Sequence, residues 1–234
     1  MLIDPPLVEG RLLRRYKRFF ADVEMADGSV EVTHCPNPGS MLGLATPGAR
    51  CFVSRSDNPK RKLALTLELV EARESLVCVN THRANALAAE ALHARKAPGL
   101  EAYDRVRPEA PYGQNSRVDF LLEGDGLPNA FVEVKSVTLS REPGLAEFPD
   151  SKSERAVKHL RELGAVVNSG HRAMVLFLVQ RDDCARFSPA ADIDPAFARA
   201  LDEAKEGGVE LGFYACPWTP GGASFNPRPL EFVA

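Results

Sequence analysis

Ser116-Arg117-Val118-Asp119-Phe120-Leu121-Leu122, then Glu123-Gly124-Asp125-Gly126-Leu127-Pro128-Asn129, then Ala130-Phe131-Val132-Glu133-Val134-Lys135-Ser136-Val137 is the stretch that decides how this chain reads. Its flanks are rich in β-branched and aromatic residues and its middle is turn chemistry, which predicts a β-hairpin. Folding symmetrically about Gly126 sets Asp119 opposite Glu133, since each lies seven residues from that glycine. Directly opposed residues hold their Cβ atoms about 4.5–5.5 Å apart, within reach of one shared divalent cation. Alternation puts Glu133 and Lys135 on one face and Val132 and Val134 on the other. Asp and Glu are poor strand formers, and opposed like charges destabilise a hairpin unless something neutralises them. Mg²⁺ or Mn²⁺ would do so, being held by one or two carboxylates plus waters and substrate phosphate. Asp119 and Glu133 are therefore candidate metal ligands. Lys135 is a candidate catalytic group, able to orient water or to stabilise charge developing on phosphorus. The plain structural alternative is a salt-bridge ladder on a solvated sheet face.

The surrounding elements give this motif a context. Residues 80–96 read as a helix, with Ala84, Leu87, Ala88, Ala91 and Leu92 at helical spacing and Pro98-Gly99 as the stop. A strand near residues 101–107 follows, then the hairpin. A second helix opens at Ser151-Lys152-Ser153-Glu154, a capping-box pattern, and a strand follows at 172–180. Helix, three strands, helix, strand, with Asp and Glu-x-Lys in the hairpin, resembles the core of the PD-(D/E)XK nuclease superfamily. That resemblance implies an acidic residue from the first helix at the metal site, and Glu90 is the candidate. The second helix brings Arg155 and His159, one turn apart, as groups that could touch phosphate or water. Further on, a helix over 194–205 and a strand over 209–215 would extend the sheet, and the Pro/Gly-rich tail from 217 to 229 reads as loosely ordered loop.

The first third of the chain reads differently. Short strands are predicted near 10–13, 18–25, 30–34, 50–55 and 62–71, with Asp27-Gly28 as a hairpin turn and loops at 36–40 and 58–59. Five short strands without a sustained helix suit a small OB-like barrel. Strand chemistry gives way to helix near 76–81, which divides the chain into a barrel over 1–79 and an α/β domain over 80–234. The fold class is thus α+β or α/β, an OB-like barrel followed by a nuclease-like mixed-sheet domain flanked by helices. Cations cluster in the barrel, at Arg14, Arg15, Lys17 and Arg18 and again at Lys60, Arg61 and Lys62, with Tyr16 and Phe19 among them. Such a mixture supplies phosphate contacts and base stacking, so these nine residues are candidate DNA-binding residues.

Several segments are similar to one family over nearly the whole chain, from about Pro6 to Tyr214. They include Arg15-Tyr16-Lys17-Arg18-Phe19, His34-Cys35-Pro36-Asn37-Pro38-Gly39-Ser40-Met41, Asn58-Pro59-Lys60-Arg61-Lys62 and Val132-Glu133-Val134-Lys135-Ser136-Val137-Thr138-Leu139. On these, the chain resembles the bacterial sugar fermentation stimulation (SfsA) family. The resemblance implies DNA binding, an N-terminal OB-like barrel and a C-terminal nuclease-like domain. The nuclease-superfamily resemblance further implies help from the Val134 carbonyl at the metal. Pro38 departs from the threonine the family pattern implies there.

Composition narrows the remaining choices. The 234 residues, 44% of them hydrophobic, suffice for one large core or two modest ones. No run of 18 apolar residues exists, and Asp4 with Pro5-Pro6 is unlike an export signal, so a cytoplasmic protein without membrane contact is expected. Five scattered cysteines form no CxxC pair and suit a reducing compartment. Adjacent residues seldom both ligate a metal, so His34-Cys35 reads as a loop histidine beside a buried thiol. The net charge of −3 argues against bulk electrostatic coating of DNA. Three function classes follow: a Mg²⁺- or Mn²⁺-dependent DNA nuclease, a non-cleaving DNA-binding regulator linked to sugar metabolism, and an enzyme acting on a small phosphorylated molecule. No phosphate-cradling Gly-rich loop supports the third. Strandedness of the DNA and oligomeric state, a homodimer included, stay open.

Overall fold

The computed structural model describes residues 1–113 and 116–233. Six strands come first: β1 (Val8–Tyr16), β2 (Phe20–Met25), β3 (Val30–His34), β4 (Arg50–Arg55), β5 (Leu65–Ala72) and β6 (Ser75–Cys78). They pair in the order β3-β2-β1-β4-β5-β6, and a parallel bridge between His34 and Thr66 joins β3 to β5, closing a five-stranded OB-like barrel. Its interior is apolar, with Leu12, Val23, Cys51, Val53 and Leu67 fully buried. Asp27-Gly28 turns the β2–β3 hairpin as the sequence predicts, with Gly28 at φ 81°. Arg18, predicted to begin a strand, instead sits in the β1–β2 turn. Lys17 and Arg18 both take left-handed φ values there, 46° and 64°.

The second domain begins with α1 (His82–His93), followed by β7 (Arg105–Tyr112), β8 (Ser116–Glu123), β9 (Ala130–Val137), β10 (Gly144–Phe148) and α2 (Glu154–Asn168). β11 (Arg172–Val179), β12 (Cys184–Pro189), α3 (Pro195–Glu206) and β13 (Glu210–Ala215) complete its framework. Ser153, rather than Ser151, caps α2 by accepting from the Ala156 amide. The main sheet runs β13-β11-β9-β8-β7, parallel from β13 to β9 and antiparallel from β9 to β7. Because β11 is interior and covered on both faces, it reads as an unbroken apolar run. Its residues nevertheless divide by parity. Val175, Phe177 and Val179 pack toward α2 and α3, whereas Met174, Leu176 and Leu178 pack toward α1.

Three features depart from expectation. The strand before the hairpin lies at Arg105–Tyr112, not near 101–107. β10 and β12 form a separate parallel ladder, joined by β16 (Glu231–Phe232), that sequence patterning does not reveal. The Pro/Gly-rich tail is docked rather than loose. It carries a small hairpin of β14 (Trp218–Thr219) and β15 (Gly222–Ala223), and the buried Trp218 donates its indole N–H to Gln180 Oε1 at 2.9 Å. The tail also clasps the N-terminus, through Ile3 N–H to the Gly221 carbonyl at 2.9 Å. No described helix is long and apolar enough to cross a membrane.

Candidate functional site

The β8–β9 ladder pairs Leu122 with Ala130, Leu121 with Phe131 and Phe120 with Val132. Continuing that register sets Asp119 against Glu133, and the named pairs stop one residue short of the two carboxylates. The Val134 amide donates to Asp119 Oδ2 at 2.7 Å. Asn85 on α1 donates to Asp119 Oδ1 at 2.7 Å. Glu133, only 4% exposed, gathers its partners on one oxygen: Oε1 accepts from Lys135 Nζ at 2.8 Å and lies 2.6 Å from His159 Nδ1. An ionised carboxylate only accepts, so Nδ1 carries the proton of that bond. Glu133 Oε2 is buried with no hydrogen-bond partner among the described residues.

The two carboxyls are driven apart. Burial, then repulsion from Glu133, raises Asp119 above the usual range, against the hydrogen bonds from Val134 and Asn85 and the charge of Lys135. Burial pushes Glu133 upward as well, but the hydrogen bonds and charges of His159 and Lys135 outweigh it and hold Glu133 low. Glu133 therefore stays ionised, and Asp119 resists charging unless a cation joins the pair.

Glu90 is not brought to this site. It lies five residues beyond Asn85, about 140° further round a helix of 3.6 residues per turn. There its carboxylate, more than half exposed, binds the Met1 ammonium at 2.8 Å. The helix position that faces Asp119 carries the neutral Asn85. Asn85 and His159 complete the constellation, and the order of the chain gave little signal for either. His159 differs from a solvated flank residue only in its placement one turn after Arg155, beside the apolar stripe of α2.

Clefts open on both sides of the carboxylates. One, of about 800 Å³, lies between barrel and sheet and is lined by Arg15, Arg18, Asn85, Lys135 and Lys152 among others. The other, of about 710 Å³, is lined by Arg117, Asp119, Arg155, Lys158 and His159 among others. Of the predicted DNA-binding residues, Arg15 and Arg18 line the first cleft. Arg15 also braces the cleft wall, donating to the carbonyls of Asn37, Gly39 and Ser40 at 2.8, 2.9 and 3.2 Å. That loop approaches Asp150 so closely that a Cβ on Gly39 would overlap the carboxylate. Arg14 is paired with Asp22 at 2.7 Å and lies over the Tyr16 ring, which stacks on Phe20. Tyr16 thus has its faces occupied, whereas Phe19 is 44% exposed. Lys17, Lys60 and Lys62 are exposed, and Arg61 folds back to Thr66 Oγ1 at 2.9 Å.

Two family models divide the chain. "SfsA N-terminal OB domain" matches residues 13–79 and "Sugar fermentation stimulation protein RE domain" matches residues 82–222. The chain belongs to the SfsA family. A sugar fermentation stimulation protein homolog of Caulobacter vibrioides is 53% identical over 216 residues, 92% of this chain and 90% of that protein. A homolog from Ruegeria pomeroyi is 54% identical over 211 residues, 90% of this chain and 92% of that one. Among solved structures, Pyrococcus furiosus SfsA in complex with Ca²⁺ superposes with a TM-score of 0.89 at 28% identity, covering 100% of this chain and 98% of that one.

For this SfsA chain, the electrostatics of the carboxylate pair make a stability prediction. Because Asp119 titrates above its unfolded value, folding stability falls as pH rises from the ordinary aspartate range through the raised value. Asp119→Asn removes that repulsion while keeping a side-chain oxygen for the Val134 amide, so in chelator it should melt higher than wild type. Adding Mn²⁺ should raise the melting temperature of wild type and not of the variant, because only wild type has repulsion for a cation to relieve. Equal shifts in both proteins, followed by circular dichroism, would place the ion elsewhere.

Proposed function

We propose that this chain binds DNA and hydrolyses its phosphodiester bonds with the help of Mg²⁺ or Mn²⁺ held by Asp119 and Glu133. The observation that carries this reading is Glu133 Oε2, a buried carboxylate oxygen without a partner among the described residues, beside a second carboxylate that resists ionisation. A buried unsatisfied anion is costly, and a cation supplies what is missing. The donor set is all oxygen, which suits a hard divalent ion. Among the described residues no three His, Cys, Asp or Glu side chains converge as a cage. Such an incomplete shell is what a Mg²⁺-type site leaves for water and substrate phosphate. The Ca²⁺ bound by the Pyrococcus furiosus relative is a cation of the same hard, oxygen-seeking class.

When bound, the cation would polarise a phosphoryl oxygen and neutralise developing charge. The protein's own groups prepare the site. His159 and Lys135 hold Glu133 Oε1 and leave Oε2 free. Asn85 and the Val134 amide hold Asp119. Lys135 keeps two further N–H donors for a water or a phosphate oxygen, and it lines the cleft beside Arg18 and Lys152. Glu90 has no part in this scheme.

The deciding experiment incubates the purified protein with labelled single-stranded, duplex and branched DNA in Mg²⁺, Mn²⁺ or chelator. Chelator-sensitive cleavage is expected. Binding without cleavage on all three leaves the non-cleaving DNA-binding class. For the binding surface, Arg18→Ala with Lys152→Ala should flatten the dependence of log affinity on log salt by roughly 0.7–0.9 per lost phosphate contact. An unchanged slope would remove the cleft from the DNA path.

A further inference from the structure

A third pocket, of about 480 Å³, lies where the barrel mouth meets the start of α1. Four walls meet there: the N-terminal arm at Leu2–Pro5, the end of β3 at His34, the end of β4 with the loop through Arg61, and the first residues of α1 at His82 and Arg83. The topology forces this convergence. The single β3–β5 bridge seats His34 beside Thr66, and Thr66 Oγ1 accepts from Arg61 at 2.9 Å, which swings that guanidinium toward the same mouth.

Charge in this pocket is unbalanced. Arg55, Arg61, Arg83, His34 and His82 line it, against Asp4 and Glu68. Glu68 is already saturated: Arg83 binds it through two bonds of 2.9 Å, Ser54 donates at 2.7 Å and Asn80 at 2.8 Å. Asp4 is exposed on the arm. Among the described residues, neither imidazole makes a side-chain hydrogen bond, and neither Arg55 nor Arg61 forms an ion pair. Burial acts most strongly on His34, and the neighbouring Arg61 and His82 add to it in the same direction. Arg55 and Arg61 are thus cations without an ion-pair partner among the described residues, and such a pair is a receptor for an anion.

We infer that this pocket binds a phosphomonoester through His34, Arg61 and His82, at a site separate from Asp119 and Glu133. A phosphomonoester suits it better than a diester. Its second ionisation falls near pH 6, so it arrives as a dianion and matches two or more cations. Arg61 supplies a planar donor fork, and the two imidazoles supply donors once protonated. Burial, then Arg61 and His82, depress the His34 pKa, so an arriving dianion should restore its proton. Binding should therefore weaken as pH rises above the histidine range, and weaken again in acid as the ester falls to a monoanion below about pH 6, with Asp4, Glu68, Arg55 and Arg83 the remaining charged groups around it. The same chemistry is offered by a small free phosphate ester and by the 5′-phosphate at the end of a nucleic-acid strand.

The test follows the imidazole resonances of the five histidines by NMR in the full chain, in chelator, so that no cation bridges phosphate to the carboxylate site. Inorganic phosphate should move His34 and His82 and leave His93, His159 and His171 in place. It should raise the His34 midpoint by about one pH unit, which corresponds to about tenfold tighter binding to the protonated form. Arg61→Gln should weaken phosphate binding about tenfold, as expected for losing a charge-assisted contact. The position is exposed, so that variant should fold. Glycerol 3-phosphate and a 5′-phosphorylated dinucleotide, with its 5′-hydroxyl twin, then identify the source. Tighter binding of the phosphorylated dinucleotide indicates a strand end, and tighter binding of glycerol phosphate indicates a free ester. Unmoved His34 and His82 resonances, or an affinity unaffected by Arg61→Gln, would overturn the proposal, whatever the outcome at Asp119.

Discussion

Lys135→Ala is expected to reduce chelator-sensitive DNA cleavage by on the order of 10²–10³, the usual cost of one preorganised electrostatic group. Lys135 Nζ lies 2.8 Å from Glu133 Oε1, its side chain is 13% exposed, and it lines the cleft between barrel and sheet. It is thus held by Glu133 while still facing the space where a phosphodiester would lie. Truncation leaves His159 as the partner of Glu133 and removes the ammonium that offsets the two carboxylates. DNA affinity should change little, since one of several cleft cations is lost and the change is spread over the whole contact. The Mn²⁺-dependent rise in melting temperature should persist, because Asp119 and Glu133 remain. Cleavage at the wild-type rate in Lys135→Ala would exclude the lysine from the chemistry. Loss of cleavage together with loss of the Mn²⁺ effect would instead show that Lys135 organises the ion site.

Glu68→Ala should destabilise the protein by about 3 kcal/mol, near the lower end of what breaking a buried ion pair costs, because Arg83 keeps some contact with water. In a chain of this size that corresponds to a fall of roughly 6–12 °C in melting temperature. Glu68 is 2% exposed and ties β5 to β4 through Ser54 and to the head of α1 through Asn80 and Arg83. It is therefore a joint between barrel and second domain. Burial raises its carboxyl, but the hydrogen bonds and charge around it prevail and hold it low. A depressed folded pKa contributes stability that is present above the unfolded value and is lost as pH falls through the folded one. Wild type should accordingly shed part of its margin over Glu68→Ala in acid. Glu68→Gln, which keeps an acceptor and loses the charge, should fall between the two. A melting temperature within about 2 °C of wild type, on the same scale of 2–4 °C per kcal/mol, would show that the joint carries little stability.

The hairpin was legible because its signals are local. Period-2 alternation, a Gly-rich turn and symmetry about Gly126 together predicted the register that pairs Phe120 with Val132 and extends to Asp119 and Glu133. The OB-like barrel was legible for a similar reason, since β3 and β4 match the predicted strands residue for residue. The strands β10, β12 and β16 were not. They are short, and their partners lie tens of residues away, so nothing local marks them. The docked tail escaped because Pro and Gly report backbone freedom, whereas Trp218 is held by Gln180 from the end of β11.

By itself, then, the sequence determined the elements, their order, the apolar faces and two carboxylates with a lysine in one hairpin, because each depends on spacing of a few residues. Only the tertiary structure decided which distant groups meet them. Helix phase put Asn85 at Asp119 and carried Glu90 away to Met1, and α2 docking delivered His159 to Glu133. Packing also set Arg15, which lines the cleft, as a brace for the Asn37–Ser40 loop. Barrel closure gathered His34, Arg61 and His82 into one pocket. These are long-range contacts, and a one-residue change of helix phase or strand register would exchange their partners while leaving the local patterns almost untouched.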